Sequence, residues 1–87
     1  MLQEPVVVEK VSQFKTLETL VIHTPYIQLN SALKLLGWVE SGSMANEVID
    51  FELVKVNGQV ELRKRNKVYP DMVIEFEGQK AKVISKI

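Results

Sequence analysis

Four cations fall within five residues at Arg63, Lys64, Arg65 and Lys67, in a chain whose eleven basic and eleven acidic residues otherwise cancel. Arginine presents a planar fork of donors that matches two oxygens of one phosphate, while lysine acts as a movable point charge. A tight group of both is chemistry for a polyanion rather than for bond making or breaking. A second anion-binding feature is written at Ser41-Gly42-Ser43, ahead of an apolar periodic run. Ser41 suits an N-cap, so the backbone N–H groups of Gly42, Ser43 and Met44 lie in the first turn of a helix, with its dipole behind them. Glycine there lets a phosphate approach closely. Lys55, on the exposed face of a strand, extends the same track. Each feature also has an ordinary reading: a loop of cations is a solvated surface, and a glycine at a helix entrance is a steric accommodation.

The basic loop follows a hairpin. In VKVNGQVEL, Asn57-Gly58 suits a type I′ turn, whose two central residues need positive φ. Pro70-Asp71 then turns the chain into Met72–Phe76, where Met72, Ile74 and Phe76 alternate with Val73 and Glu75 as in a half-buried strand. Glu77-Gly78 leads into a last strand over Lys80–Ile84. Upstream, Leu29, Ala32, Leu33 and Leu36 form one helical stripe with Asn30 at the N-cap position and Gly37 as the left-handed stop. The second helix begins after Ser41 with Met44, Val48 and Phe51 as its buried stripe and Ala45 and Ile49 beside it. Val6–Val8 with Val11, Leu20–His23 and Tyr26–Leu29 read as strands, with Ser12–Glu18 as linker. The sum is an α+β domain, a two-helix unit packed on a small, mostly antiparallel β-sheet. Residues 1–24 form an N-terminal β-rich extension and residues 25–87 the domain proper.

The totals narrow the function. Residues 1–62 hold four cations against eight carboxylates, and residues 63–87 hold seven against three. Attraction for anions is therefore local. There is no cysteine and one histidine, His23, so thiolate zinc sites, disulfides and cysteine nucleophiles are excluded. No glycine-rich phosphate loop or nucleophile–base pair at recognisable spacing occurs, so no enzyme, no cofactor, no metal and no small-molecule substrate are expected. No apolar run approaches the roughly 20 residues that span a bilayer, and no signal-peptide pattern opens the chain; a cytoplasmic protein with no membrane partner is expected. Trp38 reads as core or as a plug at the helix junction, His23 as structural or exposed, and Glu47 with Asp50 as a solvated acidic face. Tyr69 is placed where it can stack on a base.

The order helix, Gly-Ser turn, helix, Val54-Lys55-Val56-Asn57-Gly58, basic loop and Val68-Tyr69-Pro70-Asp71 resembles the S4-type RNA-binding domain, the family named after ribosomal small-subunit protein four. Leu29 stands at the Leu of the family's Arg-Leu-Asp opening, and Leu36-Gly37 closes its first helix. Gly37-Trp38, Glu40-Ser41-Gly42, Ala45 and Glu61-x-Arg63-Lys64-Arg65 are similar to the small stand-alone bacterial members, over roughly Tyr26 to Ile84. The resemblance implies an αL-like RNA-binding motif, with structured RNA (ribosomal or transfer RNA) or a ribosomal particle as partner. The candidate contact residues are Arg63, Lys64, Arg65, Lys67, Lys55, Ser41, Gly42, Ser43 and Gln28. Three positions depart from the family: Gln28 and Gly42 stand where many members carry arginine, and Asn46 lies near a frequent lysine. The loop must then supply more of the attraction. A protein–protein adaptor whose charged loop docks an acidic partner is the alternative reading.

Overall fold

The computed structural model describes residues 17–86. The strand expected at Val6–Val11 lies outside them. In chain order the elements are β1 (Leu17–Ile22), β2 (Ile27–Gln28), α1 (Leu29–Leu35), α2 (Gly42–Asp50), β3 (Val54–Val56), β4 (Gln59–Val60), β5 (Lys67–Val68), β6 (Val73–Phe76) and β7 (Gln79–Ser85).

Two hairpins build the main sheet. Asn57 and Gly58 have φ of 52° and 85°, and Glu77 and Gly78 have 53° and 79°, so both two-residue turns have the left-handed backbone that matches strand twist. They fix the registers Val56↔Gln59 and Phe76↔Gln79. β3 joins the hairpins by pairing antiparallel to β6, with Val54 opposite Phe76 and Val56 opposite Ile74. β1 adds to the other side as a parallel edge strand, Leu20 opposite Val83, giving the order β1-β7-β6-β3-β4. It starts three residues earlier than the apolar run at Leu20–His23 suggests, because backbone pairing to Lys80–Lys82 extends it past its buried side chains.

Strand alternation then makes one apolar face. Leu20, Ile22, Val54, Val56, Ile74, Phe76 and Val83 point into the core, where Leu29, Ala32 and Leu33 of α1 and Ala45 and Ile49 of α2 cover them. Trp38, half-buried at the helix junction, packs its ring 6.5 Å from that of Phe76, as the core reading requires. Leu33→Ala would empty the space beneath α1 at a cost of about 2–5 kcal/mol. The opposite sheet face carries Lys55, Glu75 and Lys80 side by side on neighbouring strands.

Three local expectations need correction. The buried stripe of α2 is Ala45 and Ile49; Met44 and Phe51 are exposed and Val48 is half-buried. Two apolar stripes lie about 100° apart on this nine-residue helix. The small Ala45 stripe, which lets a neighbouring element approach closely, is the one turned inward. The N-cap of α1 is Gln28, not Asn30, and Leu29 begins the helix instead of ending a strand. Finally, the strands around Asn57-Gly58 are shorter than expected, ending at Val60. Ser41 caps α2 as read, its Oγ accepting from the Met44 N–H at 3.1 Å, worth about 1 kcal/mol. Gly37, at φ 76°, closes α1: its N–H donates to the Lys34 carbonyl and the Trp38 N–H to the Leu33 carbonyl.

Candidate nucleic-acid interface

The basic loop is anchored by backbone at three points. α1 has no side-chain cap. Its first two N–H groups, of Leu29 and Asn30, instead donate to the carbonyls of Asn66 (2.9 Å) and Lys64 (3.0 Å). The loop therefore caps the helix, satisfying donors that would otherwise be orphaned. Within the loop the Asn66 N–H donates to the Arg63 carbonyl at 3.1 Å, closing a turn. At its exit β5 pairs antiparallel with β2, Ile27 opposite the fully buried Val68 and Gln28 opposite Lys67. Displacing the loop would uncover helix donors and Val68 together, so the cations hang on folded backbone rather than on a flexible tether.

The four cations are not equivalent. Arg63 is clamped by Glu61: Nε donates to Oε2 at 2.8 Å and the second guanidinium nitrogen to Oε1 at 3.1 Å. The Arg63 backbone N–H also donates to Oε2, at 2.9 Å. The guanidinium hydrogen bond holds the Glu61 carboxyl below its ordinary value, aided by the backbone N–H groups of Arg63 and Leu62 and opposed by partial burial. Reciprocally, Glu61 pushes the Arg63 guanidinium up. Lys64 Nζ lies 3.2 Å from Asp50 Oδ2 on α2. Arg65 and Lys67 meet no carboxylate among the described residues, and both are exposed. Lys67 Nζ sits 4.9 Å from the centre of the Tyr26 ring, a cation–π contact that leaves its charge uncancelled. Arg63, Lys64 and Asp50 keep much of their side chains in solvent while Glu61 is half-buried, so both pairs lie near the surface, where such pairs are worth at most about 1 kcal/mol. They divide the cluster without erasing it.

α2 lies against the same corner. Asn30 Nδ2 donates to Asn46 Oδ1 at 3.1 Å, and Asp50, one turn further on, takes Lys64. Gly42, Asn46 and Asp50 are spaced i, i+4, i+8, so one stripe of α2 runs from its N-terminus to the loop, over about 12 Å. Ser41 Oγ already occupies the Met44 N–H. Gly42 and Ser43 are exposed, and a Cβ at Gly42 would meet nothing within 4 Å. Gln28 lies directly across from Lys67. Lys55 lies on the outer sheet face beside Glu75, opposite the face that the helices cover. His23 is exposed, its Nδ1 3.3 Å from the Lys86 carbonyl oxygen. Asp50 of the expected acidic face is committed to Lys64, while Glu47 is exposed. Among the described residues no cluster of three or more His, Cys, Asp or Glu side chains could hold a metal ion, and no helix is long and apolar enough to cross a membrane.

Sequence reasoning missed the division of the cluster. Glu61, two residues before Arg63, was a readable partner; Asp50, fourteen residues before Lys64, was not. It also missed Tyr26, whose ring centre is 5.7 Å from that of Tyr69, and Asn66, which with Arg63, Arg65, Lys67 and Tyr69 lines a shallow depression of about 450 Å³.

The chain as a whole is similar to known proteins. The S4 domain family model matches residues 20–84. The chain is 41% identical over 61 residues to YbcJ of Escherichia coli (strain K12), named as a candidate RNA-binding protein, covering 70% of this chain and 87% of that one. YbcJ of Shigella flexneri, named as uncharacterized, matches to the same extent. The solution structure of Escherichia coli YbcJ, described as revealing an ALFAL motif involved in RNA binding, superposes with a TM-score of 0.62 at 38% identity, over 78% of this chain and 87% of that one. The 30S ribosomal protein S4e of Thermoplasma acidophilum shares the fold at a TM-score of 0.51 and 24% identity, over 66% of this chain and 30% of that one.

Proposed function

We propose that this chain, which belongs to the S4 domain family, is a non-catalytic module that binds structured RNA, ribosomal or transfer, through phosphate contacts. The observation that carries this reading is the pair of uncancelled cations, Arg65 and Lys67, on a loop pinned by the N–H groups of α1 and by the β2–β5 pairing. Charge held on rigid backbone loses little conformational entropy when a phosphate arrives, and so converts more of its attraction into affinity.

The contact track has a principal part and an extension. Arg65 and Lys67 make the first phosphate contacts. Arg63 and Lys64 join by exchanging a carboxylate for a phosphate, which cancels much of the gain. The exposed first turn of α2, Gly42 and Ser43 behind the Ser41 cap, receives a phosphate further along the same stripe, and Gln28 contributes a neutral hydrogen-bonding group beside Lys67. Lys55, on the outer sheet face, extends the track only if RNA also reaches that face. An RNA duplex suits such a track because its deep major groove hides the bases and its phosphates and 2′-hydroxyls remain accessible. Two or three effective contacts give a log–log salt slope of about −2 to −3, and hence modest affinity at physiological salt.

Ultraviolet crosslinking in cells followed by sequencing tests the reading. Recovery of structured ribosomal or transfer RNA supports it. Recovery of an acidic protein that survives nuclease treatment, with no RNA, would replace it with the adaptor.

A further inference from the structure

The depression beside the loop is built for more than phosphate. Its lining combines three cations with Tyr69 and Asn66. Tyr69 is 43% exposed, yet its chain neighbours and one ring contact fix its place. It follows the fully buried Val68 and precedes the Pro70 turn, which the Met72 N–H closes onto the Tyr69 carbonyl at 3.1 Å. Its ring leans on that of Tyr26 at 5.7 Å with a tilt of 52°, and Tyr26 in turn lies under the Lys67 ammonium. Among the described residues the Asn66 side chain makes no hydrogen bond, which leaves a free donor and a free acceptor at the same rim.

A fixed, exposed aromatic surface inside a cationic hollow has no use for a paired base, whose faces are covered by its neighbours in the stack. It fits a base taken out of the stack, held face-on by the ring with its phosphate on the adjoining guanidinium or ammonium. At about 450 Å³ the hollow falls in the ordinary range for small-ligand clefts, roughly 300–1,000 Å³. The geometry points to a subsite for one unpaired nucleotide: its base stacks on Tyr69, its edge meets the Asn66 amide, and its phosphate lies between Arg65 and Lys67. The target is then RNA helix interrupted by a bulge or ending in an unpaired residue, not uniform duplex. This rests on the RNA-binding reading and specifies the RNA it selects.

Two hairpin RNAs, alike except that one carries a single bulged 2-aminopurine and the other is fully paired, test the subsite by anisotropy and by 2-aminopurine emission. The bulged RNA is expected to bind about five- to tenfold tighter and its emission to fall on binding, as stacking quenches it. Tyr69→Ala should abolish the preference and the quenching while changing affinity for the paired hairpin less than twofold. Tyr69→Phe, which keeps the ring, should retain both. Equal affinity of the wild type for the two hairpins, or a preference that survives Tyr69→Ala, overturns the subsite and leaves the RNA-binding reading standing. Binding to neither hairpin overturns both.

Discussion

Arg63 and Lys64 occupy the entry half of the basic loop, Arg65 and Lys67 the exit half, and the two halves carry equal formal charge. The entry half meets two carboxylates: Glu61, two residues back in the loop, clamps Arg63, and Asp50 of α2 takes Lys64. The exit half faces aromatic rings and solvent, with Lys67 over Tyr26 and Arg65 meeting no carboxylate among the described residues. Charge in the first half is already partly cancelled by neighbouring carboxylates, and charge in the second is left for a partner. Counting basic residues treats the halves alike, whereas a phosphate senses only charge that is not already cancelled within a few ångströms.

The comparison can be broken outright. Replacing all four residues by alanine should weaken binding to a structured RNA at least tenfold in a gel-shift or filter titration, with the melting curve still cooperative, since the loop's anchors are backbone. Unchanged affinity would remove the loop from the account.

Glu61→Gln sharpens it. Releasing Arg63 adds one usable cation and removes one repelling carboxylate, so affinity should rise about three- to fivefold and the salt slope should steepen by roughly 0.9. A fall in affinity would mean that Glu61 presents Arg63 to RNA instead of withholding it. The same residue gives a pH dependence. Its carboxyl is depressed in the folded state, so the pair's stabilising contribution is complete above the unfolded value near 4.5 and is lost as pH falls through the lower folded value. Melting temperatures of the wild type and Glu61→Gln should therefore differ most at neutral pH and converge once the pH falls below the depressed folded value.

Gln28→Arg places a new cation directly across from Lys67 and should strengthen binding by about threefold, without the carboxylate that limits Arg63. An unchanged Kd would show that the β2 side of the loop does not face RNA.

The smallest effect concerns the scaffold, and it shows what sequence can reveal. Both helices end in the same hydrogen-bond pattern: Gly37 and Trp38 close α1, while Glu52 and Leu53 donate to the carbonyls of Ile49 and Val48 to close α2. Gly37 announced its left-handed position; Glu52, at φ 65°, did not, because the residue type argues against the conformation it adopts. Glu52→Gly should raise stability by about 0.5–1 kcal/mol, a few degrees in melting temperature, with RNA affinity unchanged. Destabilisation would mean that the Glu52 side chain holds the helix end in some other way.

The same contrast runs through the molecule. Asn57-Gly58, Gly37 and Ser41 were legible because each carries a local backbone requirement in its own residue type. The start of α1 was not legible: its N–H groups are capped by carbonyls of Lys64 and Asn66, more than thirty residues away, which left Asn30 free to reach Asn46. The choice between the two stripes of α2 likewise depended on what the sheet and α1 presented. In the candidate site, the cation cluster stood out in the sequence, but its division into cancelled and free halves required Asp50 to be brought back from another element.

The most direct measurement compares the salt dependence of binding of one hairpin RNA to two variants, Arg65→Ala/Lys67→Ala and Arg63→Ala/Lys64→Ala. The first should lose about 1.5–2 from the log–log slope and the second about 0.5 or less. Equal losses, or a larger loss from the second variant, would contradict the division of the loop.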